Sequence, residues 1–178
     1  YRNIDYTLHT MSRNLLNFST SRKFRLTLYL VLWRVVQSTL RFVFVPSLLR
    51  VFALRLFGAS IGSGVLIRSG VNVFNPLNLK VGSNCWIGEY VWIINHARVT
   101  IGSNVCISQK SIICSSGHNF RSTSLDYYHS PIEIRDGAWI CLDAKVLPGV
   151  TIGECSVVSA GEIARKSISD YSMLIEGD

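Results

Sequence analysis

Ile61-Gly62-Ser63-Gly64-Val65-Leu66 runs directly into Ile67-Arg68-Ser69-Gly70-Val71-Asn72. The same beat returns as Val81-Gly82-Ser83-Asn84-Cys85-Trp86, Ile87-Gly88-Glu89-Tyr90-Val91-Trp92 and Ile101-Gly102-Ser103-Asn104-Val105-Cys106. It continues through Ile107-Ser108-Gln109-Lys110-Ser111-Ile112, breaks, and resumes from Ile134 to Val157. An aliphatic residue at every sixth position, often followed by Gly, suits neither an amphipathic helix nor an isolated hairpin. It suits a parallel β-helix, an all-β solenoid in which each hexad is one short strand and a corner. The first position points into a narrow prism and stacks on its equivalents above and below. The fifth is small or β-branched (Val65, Cys85, Val105, Ser111, Ala138, Val150) because it too faces inward with little room. Gly and Asn between them tolerate the left-handed backbone that sharp corners demand. One hexad cannot bury its inner face alone, so stability has to come from stacked neighbours.

The 178 residues are long enough for one domain with a proper core, and 48% hydrophobic against 16% charged residues describes a globular chain. The net charge of +7 is unevenly spread: residues 1–58 hold nine Lys/Arg against one acid, and residues 59–178 hold nine against ten. A nucleic-acid binder would carry a basic stripe interleaved with aromatics on its folded body, and the near-neutral repeat region argues against that class. The five cysteines are odd in number, lack CxxC spacing and follow no secretory leader, which points to reduced thiols in a cytoplasmic protein and against structural zinc.

Three segments follow. Residues 1–21 form a polar lead-in. Residues 22–58 form a basic, apolar arm with Pro46 as its breaker, expected to end a first helix and to precede a second over residues 47–57. On a helical wheel Lys23, Thr27, Arg34, Gln37, Ser38 and Arg41 fall on one narrow stripe beside a wide apolar face. The uncharged windows are far shorter than the roughly twenty residues a bilayer span needs. Two readings of the arm stand: a cap over the first coil or a neighbouring subunit, and a peripheral anchor on anionic lipid through residues 22–57, at the inner face of the membrane. Residues 59–178 are the repeat body, broken at 73–80, at 95–100 and most heavily by a loop over 117–131. Residues 162–178 lose the hexad and are expected to pack along the prism.

His118 stands where the regular coil gives way to the long excursion, beside a Gly that lets the backbone turn. Histidine changes charge near neutral pH and suits a general base acting on a hydroxyl.

The tandem hexads, Ser116-Gly117-His118 before an excursion, and the restart Trp139…Pro148-Gly149-Val150-Thr151-Ile152-Gly153 resemble the hexapeptide-repeat acyltransferases. The stretch Ile107-Ser108-Gln109-Lys110-Ser111 leading to His118, and the arm ending Leu56-Phe57-Gly58-Ala59, are most similar to exopolysaccharide O-acetyltransferases of the colanic-acid type. The resemblance covers roughly residues 24–178. It implies a left-handed parallel β-helix, a homotrimer with sites between subunits and acetyl-CoA as co-substrate. His118 would deprotonate an acceptor hydroxyl that attacks the thioester directly, and a backbone N–H at the coil edge would steady the oxyanion. By the same resemblance Asn95 would help hold a saccharide acceptor, Trp139 would flank the acetyl end, and Ala144 and Ala160 would offer backbone groups to the pantetheine arm. Arg165 and Lys166 would meet the CoA phosphates. Asn119 follows the histidine where several relatives carry an acid or Pro; if an acid is needed to orient the imidazole, Asp126 or one from a neighbouring subunit would have to supply it, and Asp126 is placed with Asn95 among the substrate-binding residues.

Other functions stand beside this one. A γ-type carbonic anhydrase needs three histidines, and His96, His118 and His129 lack that family's close pair. A non-catalytic trimeric scaffold would be indifferent to loss of His118. An N-acetyltransferase of a nucleotide-linked amino sugar, or of another small acceptor, would keep the chemistry and change the nucleophile.

Overall fold

The computed structural model describes residues 20–119 and 125–175, and in it the hexads wind as a left-handed parallel β-helix of about six coils. Three parallel sheets form its faces. The first stacks Ser60–Ile61, Leu79–Val81, Val99–Ile101, Ile132–Ile134 and Thr151–Ile152. The second stacks Leu66–Ile67, Trp86–Ile87, Cys106–Ile107, Trp139–Ile140, Val157–Val158 and Met173–Leu174. The third stacks Asn72–Val73, Trp92–Ile94, Ile112–Cys114, Lys145–Val146 and Ile163–Ala164.

Register explains why the first hexad position tolerates only aliphatics. On the first face Ile61, Val81, Ile101, Ile134 and Ile152 form one column, each paired with the next. The third-face column shrinks from Ile113 through Val146 to Ala164, all three fully buried. The fifth positions line the same interior, with Val91, Ser111, Ala138, Ala144 and Ser156 wholly inaccessible. The polar members are satisfied there: Ser111 Oγ donates to the Cys141 or Ser108 carbonyl, each at 2.8 Å.

The corners hold a surprise for the sequence reading. Left-handed backbone falls on the fourth position, and Gly and Asn do not supply it alone: Tyr90, Lys110, Asp143, Cys155 and Tyr171 adopt it as well. Stacking on coils above and below overrides the local preference of these residues. Gly70 is needed for a second reason besides its φ of 73°, because a Cβ there would lie 2.5 Å from the Tyr90 ring of the next coil.

Residues 162–175 do not lie along the prism as expected; they continue it. Ile163–Ala164 and Met173–Leu174 extend two faces, and Ile168 bridges Ile152 on the remaining one. The hexad was illegible because one corner is two residues shorter. Six positions separate Val146 from Ile152, and four separate Ala164 from Ile168.

The lead-in over residues 1–21, except its last two residues, lies outside the described residues. The arm forms two helices, α1 (Thr20–Leu40) and α2 (Ser47–Leu56), which close the open end of the first coil. α1 stops six residues before Pro46. A turn over 41–45 joins the helices, and the buried Arg50 guanidinium holds it by donating to the carbonyls of Leu40 at 2.8 Å, Phe42 at 2.7 Å and Ile67 at 3.1 Å. Burial, then the nearby Arg68 charge, lower the Arg50 pKa.

The inward face of α1 also differs from the wheel. Gln37, on the polar stripe, is buried: its Nε2 donates to Asn72 Oδ1 at 2.9 Å and its Oε1 accepts from the Val73 N–H at 2.6 Å. Trp33 Nε1 donates to the Val73 carbonyl at 2.8 Å. The reason is the edge of Asn72–Val73, which has no described strand beneath it. Its backbone groups need polar partners when covered, and a wholly apolar helix face has none to offer. Much of the apolar face is therefore left outside.

Candidate active site

The three breaks in the hexad fall at one edge of the prism, stacked one above another. Twenty residues separate Ile61 from Val81 and Val81 from Ile101, thirty-three separate Ile101 from Ile134, and eighteen separate Ile134 from Ile152. Every extra residue leaves the coil between the third face and the first. Segments around 74–78, 94–98 and 115–131 thus share an edge, though they are scattered along the chain.

The largest of them is more ordered than a loop. Ser116–His118 pairs antiparallel with Tyr127–His129, so the excursion is a hairpin whose tip, residues 120–124, lies outside the described residues. Gly117 is required by close packing, since a Cβ would sit 2.8 Å from the Tyr128 ring. Ser115, fully buried, ties the hairpin to the coil below: its N–H donates to Ile94 O at 2.9 Å and its Oγ accepts from Ala97 N at 2.9 Å.

His118 is exposed at the end of the outgoing strand. Its Nδ1 lies 2.9 Å from the Leu125 carbonyl, and a carbonyl can only accept, so Nδ1 carries a proton and the neutral ring has its lone pair on Nε2. Leu125 aims that carbonyl from a left-handed conformation, φ 47°. An exposed imidazole held in this tautomer can take a proton from a hydroxyl. The sequence reading looked to a carboxylate for orientation. Here a backbone carbonyl, which no side-chain motif announces, serves that purpose, while Asp126, the next residue, engages Asn119 N through its own backbone carbonyl.

A row of rings follows the same edge. Tyr127 packs on His118 with centroids 4.0 Å apart, and His129 lies 6.1 Å beyond Tyr127. His129 and His96 stack nearly parallel at 5.2 Å, Phe74 packs on His96 at 4.0 Å, and the Arg34 guanidinium lies 5.0 Å over Phe74. Desolvation first, then the His129 and Arg34 charges, depress the His96 pKa. Sequence reasoning treated His96 and His129 only as metal ligands. Counting residues per coil would have put them on the His118 edge. Their rings lie face to face, which does not aim their lone pairs at a common ion, and among the described residues no three His, Cys, Asp or Glu are grouped to hold a metal.

The other sequence-derived residues fare unevenly. Asn95 is a correction: it is wholly buried, accepting from Asn75 N at 3.0 Å and donating to Asn75 O at 2.7 Å, so its amide locks two coils at the edge and does not face an acceptor. Ala144 is a second correction. It is fully buried, its N–H donates to Cys141 O and its carbonyl accepts from Ile112 N, so neither backbone group is available. The corner position stacked beneath the exposed Ala160 is instead Leu142, whose carbonyl accepts from Gly161 N at 2.9 Å. Trp139 points outward from the second face, 48% exposed, with Nε1 donating to Ser108 Oγ at 2.9 Å. Arg165 and Lys166 are exposed on the His118 edge, two coils further along, about 10 Å at β-sheet spacing. Within one protomer His118 therefore shares an edge with Arg165 and Lys166. Trp139, Leu142 and Ala160 belong to the second face and its corner with the third.

No family model matches the chain. It is 38% identical over 161 residues to a protein designated a colanic acid biosynthesis acetyltransferase in Escherichia coli (strain K12), an alignment covering 88% of each chain. It is 32% identical over 114 residues to galactoside O-acetyltransferase of the same organism, covering 62% of this chain and 56% of that one. In fold it is similar to the hexapeptide-repeat acetyltransferase of Vibrio cholerae O1 biovar eltor solved with acetyl coenzyme A. The TM-score is 0.76, at 18% identity over 84% of this chain and 82% of the other.

Proposed function

This chain belongs to the hexapeptide-repeat acetyltransferases, and from that premise we propose that it moves an acetyl group from acetyl-CoA to a sugar hydroxyl in surface-polysaccharide assembly. The observation that carries the reading is the tautomer of His118: Nδ1–H on a backbone carbonyl, Nε2 basic, ring exposed. The acceptor hydroxyl gives its proton to Nε2 as its oxygen attacks the thioester carbon. The tetrahedral intermediate collapses with loss of the CoA thiolate, which takes the proton back from the imidazolium. Protons and charge balance without a covalent enzyme intermediate. The O-acetylation of a galactoside named for one Escherichia coli relative supports a hydroxyl acceptor.

The donor would follow the coil axis, its phosphates meeting Arg165 and Lys166 and its acetyl end reaching His118. Trp139 and the outward corner amides of Leu142 and Ala160 contribute if a second copy brings that corner against the first copy's His118 edge. Three such contacts close into a homotrimer. The ring row from His118 to Phe74 provides flat apolar faces on which a pyranose can stack, and Asp126, next to Tyr127 in the chain, is the acid assigned by this reading to acceptor binding.

The test uses purified full-length protein, acetyl-CoA and a panel of saccharide acceptors, read by CoA thiol release and by mass spectrometry of the product. His118→Ala should lower kcat by about three orders of magnitude with little change in acetyl-CoA affinity. A loss under tenfold would remove His118 as the base. In cells, deletion of the gene should strip one acetyl group from the surface glycan, and unchanged glycan acetylation would overturn the acceptor class.

A further inference from the structure

Helices α1 and α2 leave an apolar surface where a soluble protein would hide one. Thirteen of the twenty-four exposed large hydrophobic side chains among the described residues lie between Phe24 and Leu56, a concentration that marks a contact surface. The most accessible are Val43 at 83%, Phe44 at 79% and Leu48 at 79%, on the turn between the helices and the first turn of α2. Phe42 and Phe44 stack at 5.5 Å and project together. Arg50 holds this turn in place from within, so the projection is built and not a frayed end.

Charge selects the occupant. Between Tyr6 and Gly88 the chain contains no Asp or Glu, while Arg25, Arg34, Arg41 and Arg55 fall on or beside the two described helices; Arg68, in the first coil, is paired with Glu89 at 2.6 Å. All the acids but Asp5 come later, from Glu89 onward. A second copy seated on this end would set cation against cation. An anionic surface would neutralise the arginines and take up the apolar side chains at once. No described helix is long and apolar enough to cross a membrane.

We propose that the helical end of this protein, led by Phe42, Val43, Phe44 and Leu48 and carrying Arg25, Arg34, Arg41 and Arg55, inserts into the surface of a bilayer containing anionic phospholipid. The prism then stands on the membrane with its helical end down. Arg34 on α1 is also the foot of the ring row that climbs to His118, so a carbohydrate carried on a membrane lipid would meet the site from below. That last clause rests on the acetyl-transfer reading; the docking does not.

The test is flotation of the full-length protein with vesicles of phosphatidylcholine alone or mixed with phosphatidylglycerol. The protein should float with the mixed vesicles and not with the neutral ones, and should be released by high salt. Val43→Asp with Leu48→Asp, both on exposed side chains, should weaken binding on the order of 100-fold, with CoA release on a soluble saccharide unchanged. A separate Arg41→Glu variant should show the same loss through charge alone. Failure to float with mixed vesicles overturns the proposal. So does a shift of oligomeric state in the Val43/Leu48 variant, which would assign the surface to another copy. Loss of transfer with vesicle binding intact would count against the acetyl-transfer reading and leave the docking standing.

Discussion

At His118 the proposed chemistry depends on a single hydrogen bond that no side-chain motif encodes. The Leu125 carbonyl fixes the tautomer, and its own left-handed backbone is held by the hairpin pairing of Ser116–His118 with Tyr127–His129. Gly117→Val would drive that hairpin apart at Tyr128; kcat should fall by about tenfold or more while the fold's melting temperature moves little, since the excursion lies outside the prism. Calorimetry beside steady-state kinetics separates the two. His96 carries a pH signature. Its pKa is depressed in the folded protein, so the folded state binds fewer protons than the unfolded one between the depressed value and the ordinary imidazole value of about 6.5. Stability present above that range is lost as the pH falls through it. His96→Phe should flatten this limb in urea midpoints measured between about pH 7.5 and 5.

Among the elements, the corners and the cap decide stability. Lys110 sits in the left-handed region at φ 61° with an exposed side chain, so Lys110→Gly should stabilise by about 0.5–1 kcal/mol, readable from denaturant midpoints. The opposite sign is expected at Gly70. Gly70→Ala adds a Cβ against Tyr90 in the same backbone region and should cost about 1–3 kcal/mol. Trp33 is the anchor of α1, buried against the first coil and bonded to Val73. Trp33→Ala should cost about 3–5 kcal/mol and expose the lower edge of the third face, seen as faster amide exchange at Val73.

For the whole molecule, the separation of the proposed site between two regions of the prism has a direct consequence. If catalysis uses His118 from one copy and Trp139 from its neighbour, then His118→Ala and Trp139→Ala chains, each impaired alone, complement when co-expressed. In randomly mixed trimers about a quarter of the sites regain both residues. Activity of the mixture should rise well above either variant, and sedimentation should give a trimer. No recovery would mean that each protomer works with its own residues.

The hexad determined the prism. A six-residue beat of inward aliphatics has one economical way to be buried, and the strands fall at Ile61, Ile67, Val81, Ile87, Ile101, Ile107, Ile134, Ile140 and Ile152 with their stacking partners as the beat requires. That the chain leaves the coil at His118 was legible because the beat stops there. Tertiary structure alone decided which scattered interruptions meet. Phe74, His96 and His129 converge because extra residues can leave a packed triangular coil only at a corner, and stacking aligns the corners. It also decided that Asn95 and Ala144 face inward, and that Gln37, not an apolar neighbour, turns to the core. A sheet edge must find hydrogen-bond partners before a helix can bury it, and that demand exists only once the coil has formed.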